Sequence, residues 1–223
     1  MPIRIFIGTS PGTDDYPAEV ALEYSLRKHA SEELEIIFMR NREDGFMGKF
    51  QDSGWATPFT NLRWAIPEYC NFEGKAIYMD EDQLNLRDIA ELYHIDMQGK
   101  PFASRENRLC VMVFDNAKMK DLLAPVSEIK RNPRYGNQIY WNILKKSHHF
   151  DPRWNCLDGE HRPIEDIWHL HFTSMPTQPW KPAWGKAKGL SQVDHPRKDL
   201  VALWEQYRDE GLKALHNEKS SSI

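Results

Sequence analysis

An apolar run in the first half of the chain ends in three carboxylates and reads Lys75-Ala76-Ile77-Tyr78-Met79-Asp80-Glu81-Asp82. The apolar part predicts a buried β-strand. Asp80 and Asp82 are two residues apart, so in an extended chain their side chains point the same way and can meet one divalent cation. A solvated acidic turn is the alternative. The position just after a strand favours the cation, because ligands bind beyond the carboxyl ends of parallel strands.

Strands and helices are predicted to alternate on both sides of this stretch, which is typical of an α/β fold with a parallel sheet. Apolar runs predict further strands at Ile3–Ile7, Leu34–Met39, Leu109–Phe114 and Ile167–Phe172. Helical patterns are found at Ala18–Ala30, Asp88–His94, Asn137–Lys146 and Asp199–Leu215, and Thr57-Pro58 predicts one more helix start. We expect one domain over residues 1–216 and a disordered tail at 217–223.

The composition excludes several classes of protein. With 40% hydrophobic and 28% charged residues among 223, the chain has the composition of a globular protein, not of a disordered one or a coiled coil. A net charge of -4 argues against a nucleic-acid partner. No apolar run approaches the roughly 20 residues of a transmembrane segment. Three cysteines form no CxxC motif, so a reducing, cytoplasmic setting is expected, with Cys110 packed in the core.

The sequence around the acidic pair resembles the glycogenin-like glycosyltransferases of family 8, which use nucleotide-diphosphate sugars. The resemblance rests on the Arg-bearing segment Trp55–Glu68, on Gly74–Asp82 and on Asp88-Ile89-Ala90-Glu91-Leu92, and it extends from Ile3 to about Trp180. It implies a single GT-A type (Rossmann-like) domain with a mixed, mostly parallel central sheet. It also implies a metal-dependent, retaining transfer of a sugar from a UDP-sugar to a carbohydrate or other hydroxyl acceptor.

The same resemblance implies a metal site and a diphosphate site. Asp80 and Asp82 match the two aspartates that bind Mn²⁺ (or Mg²⁺), and His171 matches the third metal ligand. A strand histidine that faces the core is the alternative for His171. Gln178 stands where the family has a phosphate-binding Lys, so either Gln178 or Lys181 is expected to contact the diphosphate.

Four further positions are implied in the same way. Thr9 is expected to hydrogen-bond the edge of the base and Tyr16 to stack on it, although an Asp cap for the next helix would also explain this acidic loop. Arg63 is expected to approach the diphosphate or to orient an aspartate, with a surface arginine as the alternative. Gln138 is expected beside the anomeric carbon as a catalytic residue, together with Asp80 and Asp82.

No strong nucleophile accompanies these residues, since the amide of Gln138 is a weak one. We therefore expect catalysis by positioning and electrostatics, with front-face attack and the leaving phosphate as base. Two other functions stay open at this point: a carbohydrate or nucleotide-sugar binding module without turnover, and a nucleotidyltransferase. The second needs a basic, Gly-rich loop after the first strand, and Ser10-Pro11-Gly12-Thr13 has no basic residue.

Overall fold

A computed structural model of the chain describes residues 1–42, 44–51, 57–180, 189, 191 and 193–221. These residues form two compact units. The first unit contains Met1–Gly12, Glu32–Asp80 and Ala90–Pro152. The second contains Thr13–Ser31, Glu81–Ile89 and the described residues from Arg153 onward.

The described residues form nine strands and seven α-helices. The strands are β1 Ile3–Gly8, β2 Leu34–Met39, β3 Lys75–Asp80, β4 Gln83–Asn85, β5 Phe102–Arg105, β6 Arg108–Asp115, β7 Ser147–His149, β8 Cys156–Leu157 and β9 His169–His171. The α-helices are α1 Tyr16–His29, α2 Ile66–Tyr69, α3 Ile89–Tyr93, α4 Asn116–Met119, α5 Val126–Ile129, α6 Tyr135–Leu144 and α7 Lys198–Ser221. Short 3-10 helices lie at Leu62–Ala65, Pro152–Asn155, Asp158–Glu160, Ile164–Asp166 and Met175–Thr177.

The first unit is built on a six-stranded sheet in the order β2-β1-β3-β6-β5-β7. Strand β1 pairs in parallel with β2 and β3, β5 pairs in parallel with β7, and β6 pairs antiparallel with β3 and β5. Only β6 therefore runs against the others. This confirms an α/β fold with a mixed, mostly parallel sheet. Successive residues of β1 and β3 are buried, because both faces of these strands are covered.

The second unit has a small sheet and a pair of long helices. Its strands lie in the order β4-β9-β8, with β9 antiparallel to β4 and parallel to β8. Helix α1 packs against α7. The helices approach closely at Gly211, where a Cβ atom would lie 2.8 Å from Cγ1 of Val20 and 2.9 Å from Cβ of Tyr24.

Two boundaries differ from the sequence prediction. Helix α7 continues to Ser221, although disorder was predicted from residue 217. The helix predicted to start at Thr57-Pro58 begins only at Leu62, as a 3-10 turn that leads into α2. Pro67 has no N–H for the carbonyl of Arg63, and the N–H of Ile66 bonds that carbonyl in the tighter 3-10 pattern instead.

Among the helices of the described residues, none combines enough length with enough apolar character to cross a bilayer.

Gly8, at the end of β1, gives the first testable prediction. A Cβ atom there would lie 2.6 Å from the hydroxyl of Tyr78 and 2.8 Å from the ring of Phe59. We expect Gly8→Ala to lower the free energy of unfolding by about 1–3 kcal/mol, because these buried rings must shift. Urea unfolding measures this loss. Gly159→Ala is the control, since a Cβ there meets no atom within 4 Å; equal stability of both variants with wild type contradicts the prediction.

Candidate functional site

Arg63 is held by backbone and carboxylate oxygens of the first unit. It lies in the 3-10 helix Leu62–Ala65 and is 7% exposed. Nε donates to the carbonyl of Thr60 at 2.9 Å, and a terminal nitrogen donates to the carbonyl of Leu109. The other terminal nitrogen donates to Oδ1 of Asp80 at 3.3 Å. All three nitrogens thus have acceptors, which rules out the surface-arginine alternative.

Asp80 ends β3 and accepts a second hydrogen bond on the same oxygen. The hydroxyl of Tyr78 donates to Oδ1, and the Arg63 guanidinium stacks over the Tyr78 ring, 4.4 Å from its centroid. Gly8 is the register partner of Asp80 on β1, and its missing side chain leaves room for the Tyr78 hydroxyl. The carboxylate is therefore held in one orientation by two donors.

A cavity of about 360 Å³ opens beside this carboxylate within the first unit. That volume lies at the low end of the range for ligand pockets, which is about 300–1,000 Å³. Besides Arg63 and Asp80, its wall contains Thr57, Thr60, Trp64, Asn107, Arg108, Leu109, Cys110, Gly136 and Tyr140. The wall thus combines hydroxyls, one amide and two cations with two aromatic rings, as a polar ligand requires.

Cys110 belongs to this wall, and the prediction that it packs in the core is wrong. It is only partly buried, and Sγ lies within 4.8 Å of a carboxylate oxygen of Asp80. The apolar sequence around it suggested burial, but Cys110 lies near the start of β6, where its side of the strand borders the cavity, and burial on that side is complete only from Met112 onward.

In the second unit, Asp82 lies beside His171. Asp82 precedes β4 and His171 ends β9, and these strands are antiparallel neighbours. Nε2 of His171 lies 3.2 Å from Oδ1 of Asp82, with both side chains largely buried. The backbone also joins them, since the N–H of Phe172 donates to the Asp82 carbonyl at 2.9 Å. The sheet thus brings together two predicted metal ligands that are 89 residues apart in sequence.

Asn155 sets the tautomer of His171. Its Oδ1 lies 3.0 Å from Nδ1 of His171. An amide oxygen can only accept, so Nδ1 carries a hydrogen, and Nε2 is the ring nitrogen that faces Asp82. Metal-binding histidines are commonly oriented by such a bond on the other nitrogen. Sequence reasoning treated the segment around Asn155 as structural and missed this contact.

Gln178 holds the other oxygen of Asp82. Its Nε2 donates to Oδ2 of Asp82 at 3.1 Å and to the carbonyl of Phe172 at 2.9 Å. Oδ1 of Asp82 is buried and receives no hydrogen bond from the described residues. The carboxylate is therefore oriented by Gln178 while Oδ1, which faces His171, keeps its lone pairs.

The alternative interpretation of His171 was a strand histidine that faces the core. His169, two residues earlier, is a histidine of that kind. It is fully buried between Gln83 and Asn85, whose side-chain oxygens lie 2.7 and 3.2 Å from its ring nitrogens. Burial, and to a lesser extent the charge of His171, lowers the pKa of His169 to about 3. It is thus neutral at ordinary pH.

The predicted base-binding residues lie in different units. Thr9 is buried just after β1, and its N–H donates to the Met39 carbonyl at 3.1 Å. Tyr16 begins α1 and is 47% exposed. Asp15 occupies the cap position of α1 but makes no side-chain capping bond; its carboxylate accepts from the indole N–H of Trp180 at 3.0 Å.

Gln138 and Lys181 complete the predicted set. Gln138 is exposed on α6, and its Oε1 accepts from Asn132 at 2.8 Å. The cavity wall contains Gly136 and Tyr140 of the same helix but not Gln138. Lys181 lies outside the described residues.

Comparison with known proteins gives a family match. The profile described as glycosyl transferase family 8 matches residues 22–151, which is more than half of the chain. The matched range contains Arg63, Asp80, Asp82 and Gln138, whereas His171 lies beyond it. A search of curated proteins found no match.

Solved structures share the fold. GlyE, a glycosyltransferase of Streptococcus pneumoniae TIGR4, matches 98% of this chain with 16% identity and a TM-score of 0.65. The galactosyltransferase LgtC, solved with donor and acceptor sugar analogues, matches 92% with 13% identity and a TM-score of 0.57. The match covers all of LgtC but 64% of GlyE, so this chain spans less than two thirds of GlyE. These likenesses confirm the expected GT-A type fold.

The Arg63 contacts give the second prediction. Arg63→Met removes the hydrogen bonds to three oxygens, one of which belongs to the nearly buried carboxylate of Asp80. We expect a loss of about 3 kcal/mol in the free energy of unfolding. Arg27→Met is the control, since Arg27 forms an exposed helical pair with Glu23 that should contribute about 0.5 kcal/mol or less. Urea unfolding of both variants tests this; similar losses contradict it.

Proposed function

This chain belongs to glycosyl transferase family 8, and on that premise we propose that it is a metal-dependent transferase. It moves a sugar from a UDP-sugar to a hydroxyl group of a carbohydrate or other acceptor, with retention of anomeric configuration. The observation that carries the proposal is the Asp82–His171 pair, whose facing oxygen and nitrogen are 3.2 Å apart.

The donor atoms of this pair fit a divalent cation. Nδ1 of His171 donates to Asn155, so Nε2 of the neutral ring would be the metal-binding nitrogen, and Oδ1 of Asp82 is buried without a hydrogen bond from the described residues. A divalent cation bound here would take both atoms as ligands and would displace any proton shared between them. The proposed ligands are Asp82 and His171, with Asp80, two residues earlier in the chain, as the third. A set of one imidazole and two carboxylates suits Mn²⁺, with Mg²⁺ as the alternative.

When bound, the cation would neutralise the diphosphate and act as a Lewis acid on the leaving oxygen. The chain's own residues supply positioning. Gln178 holds Oδ2 of Asp82 and so aims Oδ1, while Arg63 and Tyr78 hold Asp80. Because the amide nitrogen of Gln178 already has two acceptors, we assign the diphosphate contact to Lys181.

The cavity of the first unit supports front-face attack. A double displacement needs a carboxylate or other nucleophile at the anomeric carbon. Asp80 is the one carboxylate on the described cavity wall, and it is paired with Arg63. The leaving phosphate is therefore the proposed base. Thr9 and Tyr16 as base-binding residues and Gln138 as a catalytic residue stay predictions from the sequence.

The third prediction concerns UDP and Mn²⁺. UDP at about 100 times its dissociation constant should stabilise the protein by roughly 2.7 kcal/mol, and only with Mn²⁺ present. Asp82→Asn should abolish this thermal shift, while the control Asp166→Asn, at an exposed site in the same unit, should keep it. Hydrolysis of UDP-sugars then identifies the donor. A shift that survives without metal supports a binding module instead, and no shift with UDP, Mn²⁺ or Mg²⁺ rejects the proposal.

The fourth prediction concerns the tautomer of His171. Asn155→Ala removes the acceptor for Nδ1, so Mn²⁺ binding with UDP should weaken by about 10- to 100-fold. Asn155→Asp keeps an acceptor and should restore most of the affinity. Titration calorimetry with Mn²⁺ measures both; equal affinities of the Ala variant and wild type contradict the role given to Asn155.

A further inference from the structure

Trp141 is the one exposed large hydrophobic side chain of α6. It is 68% exposed, whereas tryptophan is usually well buried in folded chains. The packing of α6 does not require this indole ring, because the buried side chain at this end of the helix is that of Ile143. A large exposed aromatic ring is typical of a surface that binds something.

The ring borders an open groove of about 420 Å³ in the first unit. The groove is lined by Glu106, Asn107, Trp141, Leu144, Lys145 and His149. Glu106, Asn107, Lys145 and His149 are exposed, and they offer hydrogen-bond donors and acceptors around the aromatic face. One acid and one base leave the groove without a strong net charge, which does not favour a nucleic acid or another highly charged partner.

The groove adjoins the cavity beside Asp80. Asn107 lines both. Tyr140 lines the cavity, donates a hydrogen bond to the Asn107 carbonyl and contacts Trp141 edge to face, with the ring centroids 5.1 Å apart. The groove and the cavity thus share Asn107, whose carbonyl is held by Tyr140, the neighbour of Trp141 in the helix.

We propose that Trp141 is the stacking platform for an outer sugar ring of a glycan acceptor. The inference rests on the proposed function, which makes the cavity beside Asp80 the place where the sugar is transferred. A pyranose has an apolar C–H face that packs on the indole and equatorial hydroxyls that hydrogen-bond to the polar side chains at the rim. The accepting hydroxyl then lies in the cavity, and the next ring of the acceptor lies over Trp141.

The platform predicts how acceptor length affects binding. A monosaccharide fills the cavity alone, whereas a di- or trisaccharide also reaches Trp141. The affinity for the acceptor should therefore be higher for a disaccharide than for a monosaccharide, and this difference should depend on the indole ring of Trp141. Binding of UDP should not depend on it, because Trp141 lines the groove and not the cavity wall that contains Asp80.

The test is binding to an array of mono- to tetrasaccharides of glucose, galactose, mannose and N-acetylglucosamine, with UDP and Mn²⁺ present. Wild type should be retained on at least one series, and Trp141→Ala should bind its di- and trisaccharides about tenfold more weakly, the loss expected for one aromatic contact. Trp141→Phe should stay within about threefold of wild type. Leu212→Ala, at an exposed apolar site on α7, is the control and should bind as wild type.

Retention of Trp141→Ala equal to wild type, or no retention of wild type on any series, overturns the inference. The inference is also overturned if Trp141→Ala differs from wild type only in its sedimentation coefficient. Trp141 would then be a contact between protein chains. The UDP thermal shift of Trp141→Ala separates the two proposals. If that shift equals wild type while the array shows no effect, the platform fails and the transferase stands; if wild type shows no UDP shift, the transferase itself fails.

Discussion

The guanidinium of Arg63 is nearly buried, and a buried guanidinium must have an acceptor for each of its nitrogens. The first unit supplies them from three places: the turn at Thr60, strand β6 at Leu109 and the end of β3 at Asp80. The same group therefore ties the 3-10 helix to two neighbouring strands of the sheet. Because Tyr78 stacks on the guanidinium and also donates to Asp80, the carboxylate cannot turn without disturbing the core.

This constraint explains several features that are otherwise unrelated. Gly8 carries no side chain because the Tyr78 hydroxyl fills that space. The chain from Leu62 to Tyr69 forms a 3-10 turn and one α-turn, which places Arg63 inward although Pro67 interrupts the helix. The cavity beside Asp80 is walled by the same turn, by β6 and by α6.

The second unit orients its polar residues by a different device. Asp82 and His171 are each held on the far side by an amide, Gln178 for the carboxylate and Asn155 for the imidazole. Oδ1 of Asp82 and Nε2 of His171 are thereby left facing each other. The two amides orient these groups without adding a charge beside them.

Sequence patterns predicted the longer elements well. The apolar runs at Ile3 and Lys75 became β1 and β3, since a strand buried on both faces needs a continuous apolar run. Strands β4 and β8 have three and two residues, too few for any periodicity, and they were missed. Among the site residues, Arg63 was predicted with a choice of roles, and its contact with Asp80 supports the one that orients an aspartate. Asn155 and Trp141 were not predicted as functional at all.

The sequence by itself determined the α/β class, the positions of the main strands and the acidic pair after β3, because strand propensity and apolar runs act over neighbouring residues. Only the tertiary structure decided which partners the site residues have. The bonds from Arg63 to Leu109 and from His171 to Asn155 join residues that are 46 and 16 positions apart. Their partners depend on strand order and register, which result from packing the whole chain and leave no local pattern in the sequence.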